Sequence, residues 1–180
     1  MVATRISIAE FEAMHGDDRV ELIDGAIVPM PFSADGSSSL GMWIGYLLGR
    51  HVYPRNLGRL YSADGGFVLF PDRETVRIPD VAFVRADRAP QGEAREHFPR
   101  LPPDIAVEVI SASDRPREIA AKVAMYQEAG VPLVWLVDRW AKTVTVFALG
   151  QPPRTLGIGD ELDGGEVLPE FRVTVAEVFG

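Results

Sequence analysis

The chain has 180 residues, no cysteine and a formal net charge of −8, with 47% hydrophobic and 24% charged residues. This composition is that of a globular protein long enough to bury a core, and we expect one domain over residues 1–180. The absence of cysteine excludes a disulfide scaffold and any thiolate metal site, and the negative charge argues against a broad electrostatic surface for nucleic acid. No apolar run reaches signal-peptide length or the about 18 residues of a membrane helix, so the sequence predicts a cytoplasmic protein without membrane contact.

Turn and cap signals divide the first part of the chain into a short helix, a hairpin and a longer helix. The spacing Ser-x-x-Glu at 7–10 is that of a capping box and predicts a helix that begins there. An Asp-Gly pair joins two apolar runs within 20–28, which predicts a β-hairpin. Residues 31–39 have the composition of a loop, and the apolar spacing over 40–53 is typical of a helix.

The middle of the chain is predicted to form strands and one long connection. Residues 58–70 and 75–84 are each expected to form a strand. Pro79 has no amide donor and favours an edge position or an irregularity in the second of them. The polar segment 85–103 is longer than most loops inside a domain. Residues 104–110 follow as a strand with two apolar faces, which predicts a central position in a sheet.

The last part of the chain begins with a helix and ends with a shorter one. The first helix is predicted over 116–129, with Ser113 or Asp114 as its cap and Gly130 at its end. The elements that follow are a buried strand over 131–138, its hairpin partner over 142–149, a solvated hairpin at 159–166 and a helix over 173–180. This order predicts an α/β protein of the mixed α+β kind, with a central mixed β-sheet flanked by helices.

Glu108 stands where the pattern otherwise predicts a core. It shares one face of its strand with Ala106 and Ile110, so its carboxylate is expected to be at least partly buried. An unpaired buried carboxylate is costly and tends to protonate. We therefore expect a cation close to Glu108.

Lys122 is the candidate partner of Glu108. It lies within or beside the apolar helix stripe that Ile119, Val123 and Tyr126 form. Its side chain either extends outward into solvent or places its ammonium at the carboxyl end of the preceding strand, where it would neutralise Glu108. The same stripe predicts that Tyr126 is a core residue.

Asp80 is a second carboxylate among apolar residues. If its strand lies beside the strand of Glu108, the two carboxylates converge. Oxygen ligands without cysteine or a histidine cluster suit Mg²⁺ or Mn²⁺, and such a metal beside a lysine suits phosphodiester hydrolysis. Considered by spacing alone, Asp80, Glu108 and Lys122 are also compatible with a structural ion pair in the core.

Five segments of the chain resemble, in order, the Uma family of restriction endonucleases: ELIDGAIV, RIPDVAFV, DIAVEVIS, KVAMYQEAGVPLVWLVD and FRVTVAEVFG. The resemblance extends over residues 7–179. That family belongs to the PD-(D/E)XK nuclease superfamily, so the resemblance implies a restriction-endonuclease-like fold and a metal-dependent enzyme that cleaves DNA. It also implies a homodimer, which is frequent in the superfamily.

The resemblance also implies roles for individual residues. Asp80 matches the aspartate of the PD pair, and Glu108 matches the acidic residue of the second strand. The usual lysine two positions later is absent, and Lys122 on the following helix matches the place that it takes in the Uma family. The implied metal ligands are the two acids and the backbone carbonyl of Val109. Glu21, from ELIDG, is the candidate for an additional glutamate that acts through a metal-bound water.

One departure from the family favours a second hypothesis. Family members often carry a histidine in the loop after the first hairpin, and residues 31–39 contain none. Together with the net charge, this favours a catalytically inactive module that keeps the nuclease fold and binds nucleic acid or a protein. Glu21 is equally compatible with an exposed strand residue beside a turn. Arg115 and Arg117 either contact phosphate or simply face water.

Overall fold

The computed structural model describes residues 5–14, 19–30 and 35–180. Over these residues the chain forms a mixed α/β fold in which helices pack against β-sheets. The α-helices are α1 (Ile8–Ala13), α2 (Asp35–Val52), α3 (Pro116–Glu128) and α4 (Val175–Phe179). The strands are β1 (Val20–Ile23), β2 (Ala26–Pro29), β3 (Gly58–Ser62), β4 (Phe67–Phe70), β5 (Thr75–Arg77), β6 (Val81–Arg85), β7 (Ile105–Val109), β8 (Leu133–Asp138), β9 (Thr143–Ala148), β10 (Arg154–Leu156), β11 (Glu161–Gly164) and β12 (Leu168–Thr174).

The largest sheet has six strands in the order β10-β9-β8-β7-β6-β3. Strands β7 and β8 are parallel neighbours, whereas the other neighbouring pairs are antiparallel. A second sheet has the order β2-β1-β5-β4, and β11 pairs with β12 as an antiparallel hairpin. The mixed sheet with flanking helices that the sequence predicts is confirmed.

Strand β7 lies inside the six-stranded sheet, between β6 and β8, and its five residues are all buried. Val107 packs in the same apolar cluster as the buried side of α2. Ala106 packs in a second cluster with Val123 and Tyr126 of α3. Because side chains alternate along a strand, Glu108 lies on the α3 side of the sheet with Ala106. The prediction of a central strand with two apolar faces is confirmed.

The N-terminal elements follow their local signals, and α2 is longer than predicted. The capping box of α1 and the hairpin of β1 and β2 are both present. Helix α2 begins at Asp35, so the prediction of a loop over 31–39 is wrong for residues 35–39, and residues 31–34 lie outside the described part. Serine disfavours helix only weakly, and Ser37 is buried, so tertiary packing outweighs the loop-like composition. No helix among the described residues is long and apolar enough to cross a membrane.

Each of the two strands predicted in the middle of the chain is in fact a pair of strands. Residues 58–70 form β3 and β4, and residues 75–84 form β5 and most of β6, with one member of each pair in each of the two larger sheets. The irregularity expected at Pro79 is where the chain leaves one sheet and enters the other, because proline cannot donate to a β-ladder. Asp80 therefore precedes β6 instead of lying within a strand, which corrects the prediction.

Helix α3 begins and ends where the sequence predicts, but its cap differs. Its N-cap residue is Arg115, whose side chain makes no capping hydrogen bond. Asp114 instead accepts a hydrogen bond from the backbone N–H of Ser111 at 2.7 Å, so the prediction of a Ser113 or Asp114 cap is wrong. Gly130 follows the helix with φ +82°, a conformation that glycine adopts without strain.

Candidate active site

The side chains that the sequence singles out line one pocket, which has a volume of about 450 Å³. They are Glu21, Asp80, Glu108 and Lys122. They come from β1, from the residue before β6, from β7 and from α3. The pocket thus gathers charged groups from four separate segments of the chain, while Ile110, Ile119 and neighbouring residues give it apolar walls.

The pairing of β6 with β7 places Asp80 beside Glu108. The strands are antiparallel with Val81 opposite Val107, so the residue before β6 lies next to the end of β7. The backbone N–H of Val109 donates a 2.7 Å hydrogen bond to Oδ2 of Asp80. Among the described residues no hydrogen bond is donated to Asp80 Oδ1, which leaves that oxygen free for a ligand.

Helix α3 holds both oxygens of the Glu108 carboxylate. Lys122 Nζ donates to Oε2 at 2.9 Å, and the Tyr126 hydroxyl donates to Oε1 at 2.7 Å. The Glu108 side chain is only 8% exposed, whereas that of Lys122 is 26% exposed. The ammonium therefore points toward the carboxylate and the pocket, which decides between the two orientations that the sequence leaves open.

Glu21 is buried, so of the two alternatives that the sequence left open, the exposed strand residue beside a turn is wrong. Its Oε1 accepts a 2.9 Å hydrogen bond from the backbone N–H of Ile78, and its Oε2 lies 3.1 Å from a guanidinium nitrogen of Arg77. Arg77 and Ile78 immediately precede Pro79 and Asp80. Glu21 thus fixes the segment that delivers Asp80 to the pocket.

Burial raises the pKa values of Asp80 and Glu21, and the nearby carboxylate of Glu108 adds to both shifts. Burial, with the nearby Glu108 carboxylate as the second cause, raises the pKa of Asp80 to about 7. Burial also raises the pKa of Glu21, although Lys122 and Arg77 oppose that shift. A carboxylate that titrates near neutral pH is poised to exchange a proton for a cation.

Lys122 and Tyr126 both stay protonated beside these acids. Burial by itself would lower the pKa of Lys122, but the carboxylates of Glu108 and Glu21 outweigh it and the pKa is raised. Burial and the Glu108 charge raise the pKa of the Tyr126 hydroxyl well above its usual value. Both side chains therefore act as hydrogen-bond donors to Glu108.

Two residues of this arrangement were missed by sequence reasoning. Tyr126 was predicted as core, and it is fully buried, but its hydroxyl also contacts Glu108. Its spacing of four residues from Lys122 was the available signal, since residues i and i+4 share a helix face. Arg77 had no such signal, because its partner Glu21 lies on a different strand. Arg115 is exposed, as is Arg117, and neither lines the pocket.

The oxygen donors fit a magnesium-type ion with few protein ligands. Among the described residues no three His, Asp or Glu side chains are grouped to hold a metal. Mg²⁺ is commonly bound through one or two carboxylates, with waters and substrate phosphate completing its shell. Asp80 has a free oxygen, and Glu108 keeps lone pairs on both oxygens despite its two donors. The role of the Val109 carbonyl as a ligand stays a prediction.

The same overall fold occurs in a protein of known structure. A crystal structure described as "a putative nuclease belonging to DUF820" from Anabaena variabilis ATCC 29413 superposes with a TM-score of 0.84 at 18% identity, covering 97% of each chain. The chain thus shares the overall fold of that protein. The chain belongs to the Uma2 family, described as "Putative restriction endonuclease", whose model matches residues 8–176. No curated protein matches it.

Proposed function

We propose that this protein is a divalent-metal-dependent endonuclease that hydrolyses DNA phosphodiester bonds. The observation that carries the proposal is the meeting of Asp80, Glu108 and Lys122 in one pocket of a chain of the Uma2 family. Hydrolysis requires a water oxygen to bond to phosphorus while one P–O ester bond breaks, which leaves a phosphate monoester and an alcohol. A bound Mg²⁺ or Mn²⁺ would activate the water and offset the charge of the phosphate.

Asp80 and Glu108 are the proposed metal ligands, with the backbone carbonyl of Val109 as a third. Asp80 offers its free Oδ1, since Oδ2 is occupied by the Val109 N–H. Glu108 offers the lone pairs that Lys122 and Tyr126 leave unused.

Lys122 is the proposed electrostatic catalyst. Its ammonium stays charged and has donor capacity beyond its single hydrogen bond to Glu108. It would orient and polarise the attacking water and stabilise the pentacovalent phosphate, which carries more negative charge than the ground state. Glu21 is proposed to assist through a metal-bound water, and its contacts with Arg77 and Ile78 add a positioning role.

Removal of the Lys122 ammonium tests the proposal directly. Lys122→Ala is expected to lower Mg²⁺-dependent cleavage of DNA by at least about 100-fold, since one lost charge-stabilising donor has this effect in other enzymes. Cleavage is measured on supercoiled plasmid, with circular dichroism showing that the variant folds. Lys142→Ala is the matched control, because Lys142 is the other lysine and is exposed. Equal cleavage by Lys122→Ala and the parent would refute the catalytic role.

The alternative is a catalytically inactive module that binds nucleic acid or a protein. The closed Lys122–Glu108 ion pair and the net charge of −8 favour it. A titration with Mn²⁺ followed by calorimetry separates the two functions. Saturable binding that is lost in Asp80→Asn supports the enzyme, whereas no binding at millimolar Mn²⁺ supports the inactive module.

The homodimer implied by the resemblance also stays a prediction. Light scattering of the purified chain measures its mass and tests this prediction.

A further inference from the structure

The hydroxyl of Tyr126 is the second donor to the proposed metal ligand Glu108. Tyr126 is fully buried, and its hydroxyl lies 2.7 Å from Oε1 of Glu108. Lys122, one turn earlier on α3, lies 2.9 Å from the other oxygen. Because residues i and i+4 share a helix face, one side of α3 holds both oxygens of a carboxylate that belongs to β7. The orientation of the Glu108 carboxylate is therefore set by α3.

The Tyr126 ring and its hydroxyl do different things. The ring packs in the apolar cluster with Val123, and a phenylalanine ring would fill the same space. The hydroxyl contributes only the hydrogen bond to Glu108. Carboxylates that ligate metals are usually held by hydrogen bonds from neighbouring residues, and loss of such a partner weakens metal binding.

We propose that Tyr126 is a positioning residue whose hydroxyl fixes the Glu108 carboxylate in the orientation that binds the divalent metal. This inference rests on the proposed function and extends it to a residue that does not line the pocket. Two donors leave two of the four lone-pair positions of Glu108 available. Without the hydroxyl, Lys122 still holds one oxygen of the carboxylate. The carboxylate can then rotate about its terminal bond, whose torsion is broad, and the metal must help to fix its orientation.

Tyr126→Phe tests this inference through metal binding alone. In calorimetric titrations of the full chain with Mn²⁺ at pH 8, the dissociation constant is expected to rise roughly 10-fold or more. Tyr61→Phe is the matched control: it is the same chemical change in β3, where the ring packs against Phe67 and does not line the pocket. Its Mn²⁺ affinity is expected to stay within twofold of the parent.

A second readout separates positioning from general stabilisation. In cleavage assays, Tyr126→Phe is expected to raise the Mg²⁺ concentration for half-maximal rate, with the melting temperature followed in parallel. A lower melting temperature with unchanged Mn²⁺ affinity would mean that the hydroxyl is only structural, and tighter Mn²⁺ binding would also overturn the inference. If Tyr126→Phe binds as the parent does while Asp80→Asn does not bind, the inference fails and the proposed function stands. A parent chain that binds no Mn²⁺ overturns both.

Discussion

The surroundings of Asp80 disfavour its charged form when no cation is bound. Its side chain is partly buried and lies near the carboxylate of Glu108, and its pKa is raised to about 7. In the unfolded chain the same group titrates near 3.8. Between pH 3.8 and about 7 the folded state binds more protons at Asp80 than the unfolded state does. The contribution of Asp80 to stability is therefore present at low pH and is lost as the pH rises through about 7.

Asp80→Asn is therefore expected to stabilise the metal-free protein above neutral pH. An asparagine oxygen can still accept from the Val109 N–H, and its amide adds no charge beside Glu108. The melting temperature in EDTA should rise by at least about 2 °C at pH 8, and the gain should shrink at pH 5, where the parent Asp80 is protonated. A variant less stable than the parent at pH 8 would contradict this account.

At the level of elements, the site depends on the passage of the chain from β5 in one sheet to β6 in another. Glu21 in β1 binds Arg77 at the end of β5 and the N–H of Ile78 just beyond it. Both members of this ion pair are nearly inaccessible to solvent, with side-chain exposures of 5% and 7%. The contacts of Glu21 thus tie β1 of the four-stranded sheet to the residues that lead to Asp80.

Glu21→Ala is expected to cost about 3 kcal/mol in the free energy of unfolding, because it leaves the Arg77 charge buried without its partner. The measurement is urea denaturation at pH 8, with the exposed Glu166→Ala as the control. The double variant Glu21→Ala/Arg77→Ala should lose less than the sum of the two single variants. Additive losses would mean that the two side chains do not stabilise each other.

At the level of the whole molecule, the net charge opposes the polyanionic substrate. A chain of charge −8 gains little from the counterion release that drives non-specific DNA binding. Two cations that line the pocket, Lys122 and Arg77, are already paired with Glu108 and Glu21. Arg19 also lines the pocket. A bound divalent ion would add positive charge to the pocket that these carboxylates do not already offset.

DNA binding is therefore expected to depend on the metal. With a labelled 20-base-pair duplex at about 150 mM salt, fluorescence anisotropy in EDTA should show no saturation at micromolar protein, in the range of weak non-specific binding. Addition of Mn²⁺ to the Lys122→Ala variant, which should bind without cleaving, is expected to tighten binding at least 10-fold. Tight binding in EDTA with a steep salt dependence would contradict the prediction.

The sequence by itself determined the elements whose signals are local. Apolar residues on both faces identified β7 as a central strand. Glu108, which lies within that strand, was therefore identified as a buried carboxylate. The Asp-Gly turn, the capping box at Ser7 and the glycine at position 130 marked ends of elements correctly. Such patterns depend on neighbours within a few residues, where steric and hydrogen-bonding preferences act without the rest of the fold.

Only the tertiary structure decided which distant residues meet. Pro79 signalled a break, but the assignment of β5 and β6 to different sheets depends on strand order across the whole molecule. The contact of Tyr126 with Glu108 depends on how α3 is rotated against the sheet, and the Glu21–Arg77 pair depends on the packing of β1 against β5. The physical reason is that a hydrophobic stripe fixes which side of an element is buried, whereas the partners of its polar atoms are fixed by the elements that come to cover it.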